Sequence, residues 1–301
     1  MALPHNIALA ATGLDPENGL GVVKAWVESG GDVNGCWDAE DHGGQLNVHR
    51  FLRDPEMRGD PLLLMVVYGT VVDDWNEEAV ERDCRDRIEL IRYLLSRGAD
   101  PNGAAVDGTT ALHILVDDSR SAYRLTVARL LIDAGANLEA PSEYFHGFTP
   151  LARVLDHWNV AQPSDLFTLL LSRGASLDFP AVQEARRGVT RNSAEAMVQS
   201  KLDWLTSPDC GLRQDARPGS IAMVKETLRL VTAVRAAGSW KRYVRTPHIK
   251  LVVLRSLLAR GRARRRSLWD KPTPHFLVRL FDPSLPNGVF WHVLSYWRET
   301  G

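Results

Sequence analysis

The chain has 301 residues, 45% hydrophobic and 24% charged, with a formal net charge of −1. That is enough chain for one long domain or two, and no stretch approaches the ~18–20 uncharged apolar residues of a helical membrane span, so none is expected. Cys36, Cys84 and Cys210 are odd in number and form no CxxC pair, which argues against a disulfide scaffold or a structural zinc site and for a reducing compartment.

The near-neutral total hides a division. Residues 1–180 hold 14 Lys and Arg against 28 Asp and Glu, whereas residues 181–301 hold 22 against 9. The two parts are electrostatically opposite, so each is steered toward the other or toward partners of different sign. The amino terminus lacks a positive region before its short apolar run, so no secretory signal is expected. The expected location is intracellular, cytoplasmic or nuclear, with a subunit of an organelle assembly also open.

In chain order, four apolar runs with helical spacing each end in a cluster beginning with glycine. Val22, Val23 and Trp26 precede GGDVN at 30–34; Ile88, Ile91, Leu94 and Leu95 precede GADPN at 98–102. Val127, Leu130 and Leu131 precede GANLE at 135–139; Phe167, Leu170 and Leu171 precede GASLD at 174–178. A second motif lies upstream of each: NIALAATG at 6–13, GDPLLLMV at 59–66, DGTTALHILV at 107–116 and HGFTPLARV at 146–154. Ile7 to Gly30, Leu112 to Gly135 and Leu151 to Gly174 are each 23 residues apart, and Leu62 to Gly98 is 36, the excess coming from the polar segment 72–84. A fixed interval between a helix start and a glycine stop is the mark of a repeat architecture.

These residues resemble ankyrin repeats, whose consensus is G-x-T-P-L-H-x-A, two helices, then G-A-D-x-N. The resemblance covers roughly residues 6–178, and implies an all-α solenoid of four to five helix-loop-helix repeats over 1–180. Thr caps the first helix, Pro already has the helical φ, and the closing Gly takes the left-handed conformation. One such unit cannot bury both helix faces, so neighbours must stack. In this motif His113 is expected to be structural.

Residues 181–206 read as a capping repeat, with one helix at 182–188 and another at 194–205. Residues 207–219 read as a linker, and 219–301 as a basic helical region with helices at 221–236 and 247–260, the latter opened by Pro247. The run RGRARRR at 260–266 is a candidate phosphate patch or import signal, and a solvated helix end explains it better. In the last segment, LPNGVFWHVLSYW, Phe290, Leu294 and Trp297 lie on an amphipathic aromatic helix. That segment is similar to the first helix of F-box-like tails, and the arrangement resembles ankyrin proteins with a SOCS-box-like tail. A ubiquitin-ligase component would then be a partner of this helix.

No phosphate-binding loop, GxGxxG, HExxH, GxSxG or kinase signature is present, so no enzyme and no cofactor are expected. Cys36, His42 and His49 share one loop, but their spacing matches no standard metal site, and no metal is expected. What the chain offers is surface. In the resemblance, partners are bound by the fingers after each glycine cluster and by the concave face beside them. From Gly30 to Leu62 is 32 residues, against 14 and 16 for the next two fingers. Trp37, His49 and Phe51 in the first finger, Asp107 in the second, Tyr144, Phe145 and His146 in the third, and Phe290, Leu294 and Trp297 in the tail are the expected partner-binding residues. The expected function is protein–protein interaction, as a recruitment adaptor or, alternatively, as a scaffolding subunit of a larger assembly; a nucleic-acid partner is not expected.

Overall fold

The computed structural model describes residues 3–13, 19–37, 59–69, 77–116, 121–156, 165–184, 189–207, 210, 217–260, 281–282, 285–286, 288–290 and 292. They are mostly helical and divide into two compact units, Met1–Thr232 and Ala233–Gly301.

In the first unit the helices come in pairs: α1 (His5–Thr12) with α2 (Gly21–Glu28), α3 (Leu62–Tyr68) with α4 (Glu77–Ser96), α5 (Ala111–Ile114) with α6 (Ser121–Asp133), and α7 (Pro150–Asp156) with α8 (Asp165–Ser172). The first helices form one row, α1 on α3, α3 on α5 and α5 on α7, while α4 packs on α6 and α6 on α8 in a second. Between the rows lies the core. Leu112 and Leu151 are buried there, as are Val127, Leu131, Phe167 and Leu170. Helix α3 is apolar throughout, from Leu62 to Val67, because neighbours surround it on both sides. Each pair ends at a glycine with φ between 91° and 99°: Gly30, Gly98, Gly135 and Gly174. That conformation strains any side chain with a Cβ, which explains the residue type. Helix α4 starts inside the polar segment 72–84, so part of that insertion lengthens a helix, with Glu77 and Glu78 favourably placed in its first turn.

A guanidinium also sits in this apolar interior. Arg87 of α4 is fully buried and donates to the carbonyls of Ala11 (2.9 Å) and Val66 (3.1 Å), near the ends of α1 and α3, and to Asp83 Oδ2 (2.8 Å). Carbonyls in a last helical turn lack intrahelical donors, and the guanidinium supplies them. A Cβ on Gly69 would lie 1.9 Å from Arg87 Nη1, so glycine is required there by the guanidinium and not by φ.

Of the helix expected at 182–188, residues 182–184 are strand instead, and 185–188 lie outside the described residues. Strand β3 (Asp178–Glu184) pairs antiparallel with β4 (Val189–Ser193) from Glu184↔Val189 to Val182↔Arg191, with a register shift before Asp178↔Ser193. Pro180 lies in the shifted stretch, where a residue without an N–H costs no ladder bond, and the β-branched Val182, Val189 and Thr190 favour extended backbone. The second expected helix forms as α9 (Ala194–Thr206), its Ser193 Oγ accepting from the Ala196 amide, and it packs on α7 and β4.

Two helix starts also differ. Helix α10 (Arg217–Ala237) takes in Pro218 and Gly219, which read as linker; Pro is well placed in a first turn, where its amide needs no acceptor. In the second unit α11 (Trp240–Ala259) begins seven residues before Pro247 and runs through it. Gly238, at φ 79°, ends α10, and Ser239 Oγ accepts from the Arg242 amide, so a strong start signal outweighs the interior proline.

The core of the second unit is Phe290, 1% exposed, packed against Leu251, Val252, Phe281 and Leu285. Arg255 is buried with its guanidinium carbon 4.7 Å from the Phe290 ring centre, and it donates to the carbonyls of Asp282 and Leu285. Phe290 was expected on a docking face; it is a core residue because it is the ring on which these aliphatic and cationic groups converge.

Candidate functional site

The glycine clusters are joined by a ladder of hydrogen bonds along the first unit. Asn34, the last residue of cluster one, donates from Nδ2 to the Gly98 carbonyl (3.2 Å) and accepts from the Asp100 amide (2.8 Å) in cluster two. Asn102 repeats this toward Gly135 (3.3 Å) and Asn137 (2.6 Å). Glu139 Oε1 accepts from Ser176 (2.7 Å), and as a carboxylate it has no donor for the third link. Inside each cluster the third side chain accepts from the fifth amide: Asp32 from Asn34, Asp100 from Asn102, Asn137 from Glu139, Ser176 from Asp178. These local turns fix where each finger leaves its helix pair.

The fingers are then tied to one another. The second and third are narrow loops closed by the bridges Ala104↔Thr110 and Ser142↔Phe148. Thr109 and Ser142 hydroxyls are 2.7 Å apart, and the Glu143 amide donates to the Asp107 carbonyl (2.7 Å). At Gly108, φ 79°, a Cβ would meet the Pro141 carbonyl at 2.8 Å, so only glycine lets the fingers approach this closely. The first finger is anchored at its base by β1 (Cys36–Trp37) and β2 (Asp60–Pro61), antiparallel with Trp37↔Asp60, and Gly59 lies against Val106 of the second.

Buried His113 connects finger and helix. Its Nδ1 accepts from the Thr110 amide (3.2 Å), which puts the proton on Nε2 for donation to the Phe148 carbonyl (2.9 Å). Burial lowers its pKa from 6.5 to about 4, against the raising effect of the Phe148 carbonyl. Phe145 stacks on this imidazole, ring centres 5.9 Å apart, with the Arg153 guanidinium over its ring.

The ten expected binding residues therefore separate. Tyr144 is 46% exposed, edge-on to Phe145 at 4.9 Å, and His146 is exposed with a positive φ of 59°. Asp107 is half-buried, its carboxylate accepting from the Thr109 amide and its carbonyl from Glu143. Trp37, Phe145 and Phe290 are buried and present no surface. His49, Phe51, Leu294 and Trp297 lie outside the described residues. Sequence reading passed over Val106 and Glu143, both exposed in the second and third fingers. Among the described residues no group of three or more His, Cys, Asp and Glu is placed to hold a metal, and no helix is long and apolar enough to cross a membrane.

Asp60 stands where the other first helices have Thr110 and Thr149. It is buried, accepts from the Tyr68 hydroxyl (3.1 Å) on Oδ2, and its Oδ1 has no hydrogen-bond partner among the described residues. Burial raises its pKa from 3.8 to about 6, the Tyr68 bond opposing and the Asp107 charge reinforcing. A raised carboxylate favours the neutral form, so the stability it contributes is full below about pH 4 and is lost as pH rises through 6. Asp60→Asn is expected to stabilise the chain at pH 7 by about 3 kcal/mol, from ~1.4 kcal/mol per unit, with the gain shrinking to nothing near pH 4. Urea melts of both chains across that range check it. His113 acts with the opposite sign, its contribution present above pH 6.5 and lost toward pH 4.

No family model matches the chain. Over 70 residues, 23% of its length, it is 40% identical to a Rickettsia felis protein named "Putative ankyrin repeat protein". The matched stretch covers 30% of that protein, less than a third of its length.

Proposed function

We propose that the first unit is an ankyrin-type solenoid of four helix pairs, closed by the β3–β4 hairpin and α9, and that it is a non-catalytic module binding a protein partner through its fingers. The repeated ladder, the two rows of helices and the similarity to the Rickettsia felis protein support the architecture. The observation that carries the function is the coupling of two fingers by Thr109–Ser142 and Asp107–Glu143 beneath exposed Val106 and Tyr144. A surface already fixed in place loses little conformational freedom on binding, and tyrosine is among the residue types enriched at interface centres.

Recruitment through the terminal helix is the narrower reading, and it rests on Leu294 and Trp297 now that Phe290 is in the core. The scaffold reading needs only the finger surface and a second contact of opposite charge. Affinity purification of the full chain beside Val106→Asp with Tyr144→Ala tests the common element. Both side chains are exposed, so melting is expected to stay within about 1 °C of the parent while the captured partners are lost. Retention of every partner by the variant would remove the fingers from the proposal; cullin-associated proteins among the captured set favour the adaptor, fixed stoichiometric subunits the scaffold.

A further inference from the structure

Helix α11 has two unlike sides. Leu251, Val252 and Arg255 face the Phe290 core. Elsewhere the helix exposes Ile249 at 55%, Val253 at 51% and also Leu254. Arg242, Arg245, Ile249 and Val253 are spaced i, i+3, i+7 and i+11, so they form one stripe, with exposed Lys241 beside its start and exposed Arg260 seven residues past its end. Trp240 and Tyr243, ring centres 5.6 Å apart and half-exposed, begin the same helix.

The composition of this segment narrows what fits it. Residues 233–260 hold seven Lys and Arg and no Asp, Glu, Asn or Gln. The exposed cations therefore have no carboxylate on their own helix, and the stripe carries no amide or acid for reading a particular polar pattern. A nucleic acid would use the charges and leave Ile249 and Val253 in water. A folded acidic protein would leave a uniform cationic rim with no polar specificity of its own. An anionic bilayer surface uses both parts: phosphate and carboxylate headgroups take the Arg and Lys, and the acyl boundary takes the aliphatic side chains.

We propose that α11 is a peripheral docking face for an anionic phospholipid bilayer, lying in the plane of the interface with the Arg242–Val253 stripe toward the lipid. It holds the second unit at the surface without spanning the membrane.

The test uses the full chain and sedimentation with vesicles of phosphatidylcholine, with and without phosphatidylserine. Binding is expected only with phosphatidylserine and is expected to fall with added salt. Arg242→Gln with Arg245→Gln should weaken it about fivefold per cation, the factor that ~1 kcal/mol represents. Ile249→Ser with Val253→Ser should weaken it by a similar total factor while leaving binding of a DNA duplex unchanged. These positions are exposed, so circular dichroism and melting should match the parent; Ile249→Thr alone carries the same test should the pair disturb folding. The proposal is overturned by absence of binding to the phosphatidylserine vesicles, by binding that ignores both aliphatic variants, or by duplex binding that is tighter and depends on the same four residues. A chain that is dimeric by light scattering and becomes monomeric in the aliphatic variant would place a second copy on this face, and also overturns it.

Discussion

Arg87→Ala is expected to destabilise the amino-terminal unit by about 3–5 kcal/mol, the range for removing one member of a buried charged network. The side chain is fully buried and its loss strands the carbonyls of Ala11 and Val66 and removes one partner of the half-buried Asp83 carboxylate. Each stranded group bears its own desolvation penalty, and the vacated volume beside Gly69 adds a cavity. Gly69→Ala should act through the same residue, since its Cβ would occupy the guanidinium's place; the arginine is the longer and more adaptable partner, so the loss should be smaller. Urea unfolding of both variants checks the order. A midpoint for Arg87→Ala indistinguishable from the parent would mean that the two helix ends are satisfied without it.

Phe290→Ala is expected to cost about 3–5 kcal/mol in the second unit, because the ring is 1% exposed and supports Leu251, Val252, Phe281 and the Arg255 guanidinium together. Val289→Ala, one residue away on an exposed side chain, should stay within about 0.5 kcal/mol. Hydrogen exchange of the α11 amides reads the difference directly: protection should collapse in the first variant and persist in the second. Equal protection in both would return Phe290 to the surface and reopen the docking reading of the tail.

Helix pairing was legible in the sequence because it depends on a pattern repeated four times, so one degenerate copy such as 6–13 is read from its neighbours. The same holds for the closing glycines, whose φ follows from the turn each must make. Single events were less legible. The β3–β4 hairpin occurs once, and an apolar and polar mixture of seven residues suits a strand as well as a helix turn. Pro247 looked like a helix start because its fixed φ suits one, whereas Gly238 and Ser239 had already set the start upstream. Tyr144 and Phe145 are adjacent and both aromatic, and the positions of His113 and Arg153 decide which ring is held inside. Arg87's burial was invisible for a related reason: the partners that draw it inside are backbone carbonyls 76 and 21 residues away, and backbone carries no sequence signal.

The asparagine ladder has a direction. In each link the reaching side chain belongs to the earlier cluster and its targets are main-chain groups of the later one, so Asn34 is synthesised before the backbone it will hold, and Asn102 likewise. A growing chain therefore presents a finished template at its newest edge, onto which each emerging cluster is registered with no need for anything still inside the ribosome. Assembly in the opposite sense would have to place a cluster before the side chain that positions it exists.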